Sequence, residues 1–196
     1  MERFYPIVGD VDLLARIVPQ GVRLVQLRLK DCDDAQIRDQ VDRARAICAQ
    51  HDAQLIVNDY WQVALDLGCD FVHLGQEDLD TADIPALRRA GVRFGLSTHD
   101  TAELDRALGF DPAYVALGPV YPTLLKKMKW GPQGLDRVSD WKRRAGAVPL
   151  VAIGGLTPAR APGVLRAGAD SVAVVTDLIQ ADDPAARTRE WLKVCA

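Results

Sequence analysis

Short runs of apolar, mostly branched side chains recur along the chain, each separated from the next by a stretch with helical spacing or by a loop. The runs are Phe4–Val8, Val22–Leu29, Leu55–Val57, Phe71–Leu74, Val92–Leu96, Tyr114–Leu117, Leu150–Ile153 and Ser171–Val175. Most are apolar at successive positions, the pattern of parallel strands covered by helices rather than of a sheet with one wet side. Helical patterns are read over Leu13–Val18, Asp33–Gln50, Tyr60–Leu67, Ile84–Ala90, Thr101–Leu108, Pro158–Ala167 and Pro184–Val194. The longest carries Ile37, Val41, Ala44, Ile47 and Cys48 on one stripe. Asp100 and Thr157 are expected N-caps, with Pro158 in the first helical position. Gly21, Gly68, Gly91 and Gly168 each follow a helical pattern and precede an apolar run, as helix-closing glycines do.

Eight strand candidates in 196 residues give roughly 24 residues per βα unit. That predicts an α/β fold: one (β/α)8 TIM barrel spanning residues 1–196 as a single domain. An open doubly wound sheet is the other arrangement of such units, but the chain has no Gly-x-Gly-x-x-Gly fingerprint. Composition agrees with an ordinary globular domain, with 48% hydrophobic and 26% charged residues. The net charge of −3 gives no reason to expect nucleic acid as a partner. No apolar run approaches the roughly 20 residues of a membrane span, and Met1–Pro6 lacks a signal pattern, so no membrane association is expected. Cys32, Cys48, Cys69 and Cys195 form no Cys-x-x-Cys pair and read as reduced thiols of a cytoplasmic protein.

A barrel of this kind carries its chemistry at the C-terminal ends of its strands. In the second run, side-chain alternation puts Gln26, Arg28 and Lys30 on one face and Val25, Leu27 and Leu29 on the other. An amide and two cations in a half-enclosed mouth are costly without an anion, so the polar face reads as a pocket for a multiply charged anion such as pyrophosphate. An edge strand with a solvated face is the alternative. The third run leads into Asn58-Asp59 and the fourth into Gly75-Gln76-Glu77-Asp78. Two strand-end carboxylates suit one Mg2+, which takes one or two carboxylates together with phosphate oxygens. A loop-cap role for these carboxylates is equally open, and Glu77 meets the spacing as well as Asp78.

The fifth run ends in Ser97-Thr98-His99, where Ser97 offers a hydroxyl to a phosphate. His99 is read as packing beside the capping Asp100, His73 as a satisfied core histidine, and His51 as an exposed helix end. No nucleophile–base pattern is visible. The segment 118–134 is the longest loop, and its lysines suit a lid over a phosphate. Gly154-Gly155 and Val175-Thr176 close the seventh and eighth runs, where barrels often bind phosphate through glycine amides and a helix start.

Taken together, Val25–Asp31, Val57–Tyr60, Val72–Leu79, Gly95–His99, Gly118–Thr123 with Lys126, Pro132–Leu135, Ala152–Gly155 and Val172–Val175 resemble the thiamine-phosphate synthase family, in the family's order and over nearly the whole chain. The resemblance implies Mg2+-dependent condensation of a hydroxymethylpyrimidine diphosphate with a thiazole phosphate, giving thiamine phosphate and pyrophosphate. It assigns Gln26, Leu27, Arg28, Leu29, Lys30, Asn58, Ser97 and Lys126 to the pyrimidine diphosphate. Arg28, Lys30, Ser97 and Lys126 are the groups acting on the reaction. Asp59 and Asp78 match the metal ligands, and Thr123, Leu124, Leu125, Gly155, Val175 and Thr176 surround the thiazole phosphate. One departure stands out. The family's Thr-x-Thr-Lys is here Thr123-Leu124-Leu125-Lys126, so Leu125 brings no hydroxyl, and Lys127 and Lys129 are the nearby cations. The competing readings are a thiazole tautomerase-like isomerase and a non-catalytic phosphate-binding barrel. The first resembles proteins with a histidine where this chain has Gly118-Pro119, and the second would need no carboxylate pair. A homo-oligomer is left open.

Overall fold

In the computed structural model, residues 1–123 and 130–196 are described. Eight strands form a closed parallel barrel in sequence order: β1 Phe4–Val8, β2 Leu24–Leu27, β3 Gln54–Asn58, β4 Phe71–Leu74, β5 Arg93–Thr98, β6 Tyr114–Leu117, β7 Leu150–Ile153 and β8 Ser171–Val174. The barrel closes through the pairing of Tyr5 with Ala173. The helices are α1 Val11–Ile17, α2 Asp34–Gln50, α3 Trp61–Asp66, α4 Ile84–Arg89, α5 Thr101–Leu108, α6 Gly134–Ala145, α7 Ala161–Arg166, α8 Thr176–Ile179 and α9 Pro184–Cys195. The expected closed (β/α)8 barrel is the fold observed. No helix among the described residues is long and apolar enough to cross a membrane.

Local signals account for several boundaries. Asp33 caps α2 in a full capping box, its carboxylate accepting from Gln36 N while Gln36 reaches back to Asp33 N. Asp100 caps α5 by accepting from Glu103 N. Gly21, Gly68, Gly91 and Gly168 all take positive φ, which side chains with a Cβ disfavour. Thr157 does not cap α7. Its carbonyl instead accepts from Arg160 and Ala161 N, so a turn begun at Pro158 precedes the helix. Two helices lie outside the expected set, α6 and α8.

Two apolar layers separate the barrel's inside from its outside. Val25, Leu27, Val57, Val72, Leu74, Leu96, Val115 and Leu117 lie in the larger cluster, which the strands share with the helices. Tyr5, Ile7, Leu24, Ile56, Phe71, Tyr114, Ala116, Val151 and Ala173 fill the barrel. The alternation of strand side chains enforces this division and points the next inward residues toward the mouth. Phe4 stacks on Trp191 of α9, ring centroids 5.6 Å apart, which seats the last helix against β1. Trp141 of α6 donates to Thr98 Oγ1 at 2.8 Å and so ties that helix to β5.

Candidate active site

Gln26 is buried inside the barrel, where its Nε2 donates to the Tyr5 hydroxyl at 2.7 Å. Arg28, two residues on, is half-buried and close enough to Asp59 and His73 to act on both electrostatically. The expected polar face therefore forms as far as Arg28. Lys30 is exposed, because β2 ends at Leu27 and strict alternation does not extend three residues into the loop. Leu27 and Leu29 turn the other way. Both are buried in the cluster shared with the helices, so their side chains cannot line the mouth and only their backbone remains for a ligand.

Asp59 stands directly after β3 with φ at +64°, a left-handed conformation that Asp tolerates better than most residues. Its N–H donates to the His73 carbonyl at 2.9 Å, which anchors this turn to β4. Asp78 opens a short 3-10 turn after β4, and its Oδ2 accepts from Gly75 N at 2.8 Å. The two carboxylates lie within hydrogen-bonding reach of each other. Burial first, and then the charge of Asp78, push the Asp59 carboxyl up to about 6, while Arg28 pulls in the opposite direction. Glu77, which matched the spacing equally well, is exposed. Among the described residues no third His, Cys, Asp or Glu completes a metal-binding cluster with this pair.

Asn58 is buried beside them, and its Nδ2 has no hydrogen-bond partner. It is near enough to Asp59 to favour the charged carboxylate, yet falls outside hydrogen-bond geometry with it. A buried amide donor without an acceptor is costly, and an anionic ligand oxygen would satisfy it.

Beneath the mouth runs a row of polar side chains that inspection of the sequence did not assemble. Tyr5 and Tyr114 join their hydroxyls at 2.8 Å, Tyr114 meets His73 Nδ1 at 2.7 Å, and His73 Nε2 meets Ser97 Oγ at 2.9 Å. His73 is the satisfied core histidine expected. Burial, with Arg28 nearby, lowers its pKa to about 4 and keeps it neutral. Both tyrosines sit inside apolar strand runs and look like ordinary core. The signal that could have found them is register: His73 pairs with Gly95 and Gly95 with Tyr114, so a missing side chain between two large polar ones marks an occupied slot. A Cβ on Gly95 would overlap the Tyr114 ring.

His99 gives both its N–H and Nδ1 to Glu103 at 2.8 Å and stacks on Trp130, so its place beside the capped start of α5 is structural. On the far side of the mouth, Gly154 and Gly155 adopt φ of +104° and +63° and fit against the loop that follows β6. A Cβ on Gly154 would stand 2.7 Å from Pro119 Cα, and one on Gly155 would stand 2.5 Å from the Pro122 carbonyl oxygen. Val120 N and Tyr121 N donate to the Ile153 and Gly154 carbonyls, which pins the start of that loop to the end of β7. Arg160 lies over the Tyr121 ring at 4.6 Å and donates to the Gly155 carbonyl. Thr123 and Val175 are half-buried here, as is Thr176, which opens α8. Leu124, Leu125 and Lys126, together with Lys127 and Lys129, lie outside the described residues.

The model of the thiamine monophosphate synthase family matches residues 5–178. A thiamine-phosphate synthase of Rhizobium etli is 59% identical over 196 residues, covering 100% of this chain and 96% of that one. One from Cronobacter sakazakii is 46% identical, with 97% and 90% covered. Among solved structures, a thiamine phosphate pyrophosphorylase from Pyrococcus furiosus superposes with a TM-score of 0.86 at 26% identity, over 98% of this chain and 95% of that one. A 3-hexulose-6-phosphate synthase at 16% identity and a TM-score of 0.71 shares the fold alone. Since both the family match and these likenesses run across both halves of the mouth, the chain belongs to the thiamine monophosphate synthase family, whose members are transferases.

Proposed function

We propose that this chain condenses 4-amino-2-methyl-5-(diphosphooxymethyl)pyrimidine with 4-methyl-5-(2-phosphoethyl)thiazole to give thiamine phosphate and pyrophosphate. The observation that carries the reading is the convergence of Arg28, Asn58 and the Asp59–Asp78 pair on one side of the mouth, opposite the glycine-lined backbone of Gly154 and Gly155. One half suits a diphosphate and the other a monophosphate.

In this reaction the carbon–oxygen bond to the diphosphate breaks, and its electron pair leaves with pyrophosphate. The lone pair of the thiazole nitrogen forms the new carbon–nitrogen bond. That nitrogen carries no proton, so no general base is needed. Arg28 faces the growing charge on the leaving group, with Lys30 and Lys126 as the further cations we assign to it. Asn58 Nδ2 gives its free N–H to a diphosphate oxygen, and Ser97 adds a hydroxyl. Thr123, Gly155, Val175 and Thr176 hold the thiazole phosphate. We place Mg2+ on Asp59 and Asp78, because two touching carboxylates with phosphate oxygens beside them form the oxygen donor set this ion prefers. Bound there, it supplies positive charge to the departing pyrophosphate. We assign the reaction to the cytoplasm.

An isomerase reading lacks the histidine that the proteins it resembles carry where this chain has Gly118-Pro119, and segment 118–134 contains none. A binding-only reading leaves the paired carboxylates without a purpose. The purified chain, given both substrates and Mg2+, is expected to form thiamine phosphate and pyrophosphate in equal amounts. Absence of both products would overturn the proposal.

A further inference from the structure

We propose that Gln26, Tyr5, Tyr114 and His73 form a one-way hydrogen-bond relay that commits the Ser97 hydroxyl to donating its proton into the mouth, which makes His73 a positioning residue acting through Ser97. The proposal rests on the reading above that Ser97 touches the diphosphate substrate.

The direction is set at the buried end. Gln26 Nε2 can only donate, and it faces the Tyr5 oxygen at 2.7 Å. Tyr5 is fully buried, and its one hydroxyl proton has a single acceptor within reach, the Tyr114 oxygen at 2.8 Å. Tyr114 is thereby an acceptor on that side and must give its own proton to His73 Nδ1 at 2.7 Å. A neutral imidazole that accepts at Nδ1 carries its hydrogen on Nε2, which then donates to Ser97 Oγ at 2.9 Å. Ser97 accepts there, and its own proton has no acceptor among the described residues.

The reverse direction fails at the same end. It would aim the Tyr5 proton at the Gln26 NH2 group, donor against donor in a dry site. A cationic His73 fails too. It would donate at Nδ1, so Tyr114 would receive two protons and its own would be buried without a partner. Rows of this kind polarise each member in one sense, so a choice made at Gln26 reaches Ser97 on the other side of the barrel. Ring packing holds the row in place: Tyr114 stacks on His73 at 5.6 Å and meets Tyr5 edge-on at 5.9 Å.

The test reads the tautomer directly. The chain has three histidines, so nitrogen-15 imidazole labelling with long-range proton–nitrogen correlation is tractable, with His51→Gln and His99→Gln assigning His73 by elimination. The expected form of His73 is Nε2–H. An Nδ1–H tautomer or a cation would overturn the relay. A double-mutant cycle on the binding of pyrophosphate with Mg2+ tests the link to Ser97. Ser97→Ala and Tyr114→Phe are each expected to weaken binding about tenfold, and the pair to weaken it no more than Ser97→Ala alone. Additive losses, about a hundredfold, would show that Tyr114 matters only for structure and would overturn the proposal. The tautomer measurement uses the unaltered protein, so it decides even where Tyr114→Phe fails to fold. A protein with Nε2–H but no turnover would refute the reaction while upholding the relay. One that turns over with Nδ1–H would refute the relay alone.

Discussion

Asp59 and Asp78 bring their carboxylates together from the ends of neighbouring strands, and burial first, then the charge of Asp78, raise the Asp59 carboxyl to about 6. An acid whose folded pKa lies above its unfolded value binds more protons in the native state. The stability this gives is complete below the unfolded value of 3.8 and is lost as the pH rises through about 6. In metal-free buffer at pH 7.5, Asp59→Asn removes a charged pair and is expected to stabilise the fold by about 1 kcal/mol, the full linkage value being discounted for partial solvent screening. Asn also tolerates the left-handed backbone at this position. Near pH 4 the two proteins should be equally stable. Urea titrations at the two pH values check this, and destabilisation at pH 7.5 would point to a structural cap instead. Thiamine phosphate formation by the variant should fall about 10²–10³-fold.

Arg28 acts on Asp59 and His73 from a half-buried position, which makes it the cation most firmly placed in the described site. Arg28→Gln is expected to lower turnover about 10²–10³-fold while shifting the melting temperature little, since a partly exposed guanidinium contributes modestly to folding. Steady-state rates beside a thermal melt separate the two effects. A large loss of stability with near-normal turnover would assign Arg28 to the scaffold.

Apolar periodicity made the barrel readable. Phe4–Val8, Phe71–Leu74, Tyr114–Leu117 and Leu150–Ile153 are strands with the bounds expected, because burial on both faces writes an unbroken run into each. The run at Val22–Leu29 overshoots: its ladder ends at Leu27, and with it the alternation that would have put Lys30 beside Arg28. Helix α6 escaped notice because Val138, Trp141 and Ala145 form a thin stripe in a segment crowded with Arg137, Asp140, Lys142, Arg143 and Arg144. With four residues, α8 is too short to show a period. Strand-end polar residues such as Asp59 and Ser97 were legible by position. The row beneath them was not, since Tyr5 and Tyr114 look apolar in sequence and only the register brings them to His73.

Gly95 tests that row from the packing side. Its missing side chain is the space occupied by the Tyr114 ring, which a Cβ would overlap. Gly95→Ala should therefore destabilise by roughly 1–3 kcal/mol through overpacking and displace the Tyr114 hydroxyl from His73. Chemical denaturation measures the first effect, and loss of pyrophosphate affinity the second. A variant with unchanged stability would mean that the ring has another place to go.

Gly155 tests the opposite side of the mouth. At φ +63° an L side chain is strained, and a Cβ there would press on the Pro122 carbonyl at 2.5 Å and on Tyr121 Cβ at 2.8 Å. The backbone near Pro122 would have to shift by more than a few tenths of an ångström, carrying Thr123 with it. Gly155→Ala should cost roughly 1–2 kcal/mol of stability from the left-handed backbone alone. Its effect on catalysis should be lopsided. The pyrimidine diphosphate contacts proposed above lie across the barrel at Arg28, Asn58 and Ser97, so the KM for that substrate should stay within about twofold. The KM for the thiazole phosphate should rise about tenfold or more, because the variant disturbs amides that must approach a phosphate oxygen closely. Varying one substrate at a time while saturating with the other separates the two constants. Equal increases in both would mean that Gly155 shapes the mouth as a whole, and would remove the ground for placing the thiazole phosphate beside it.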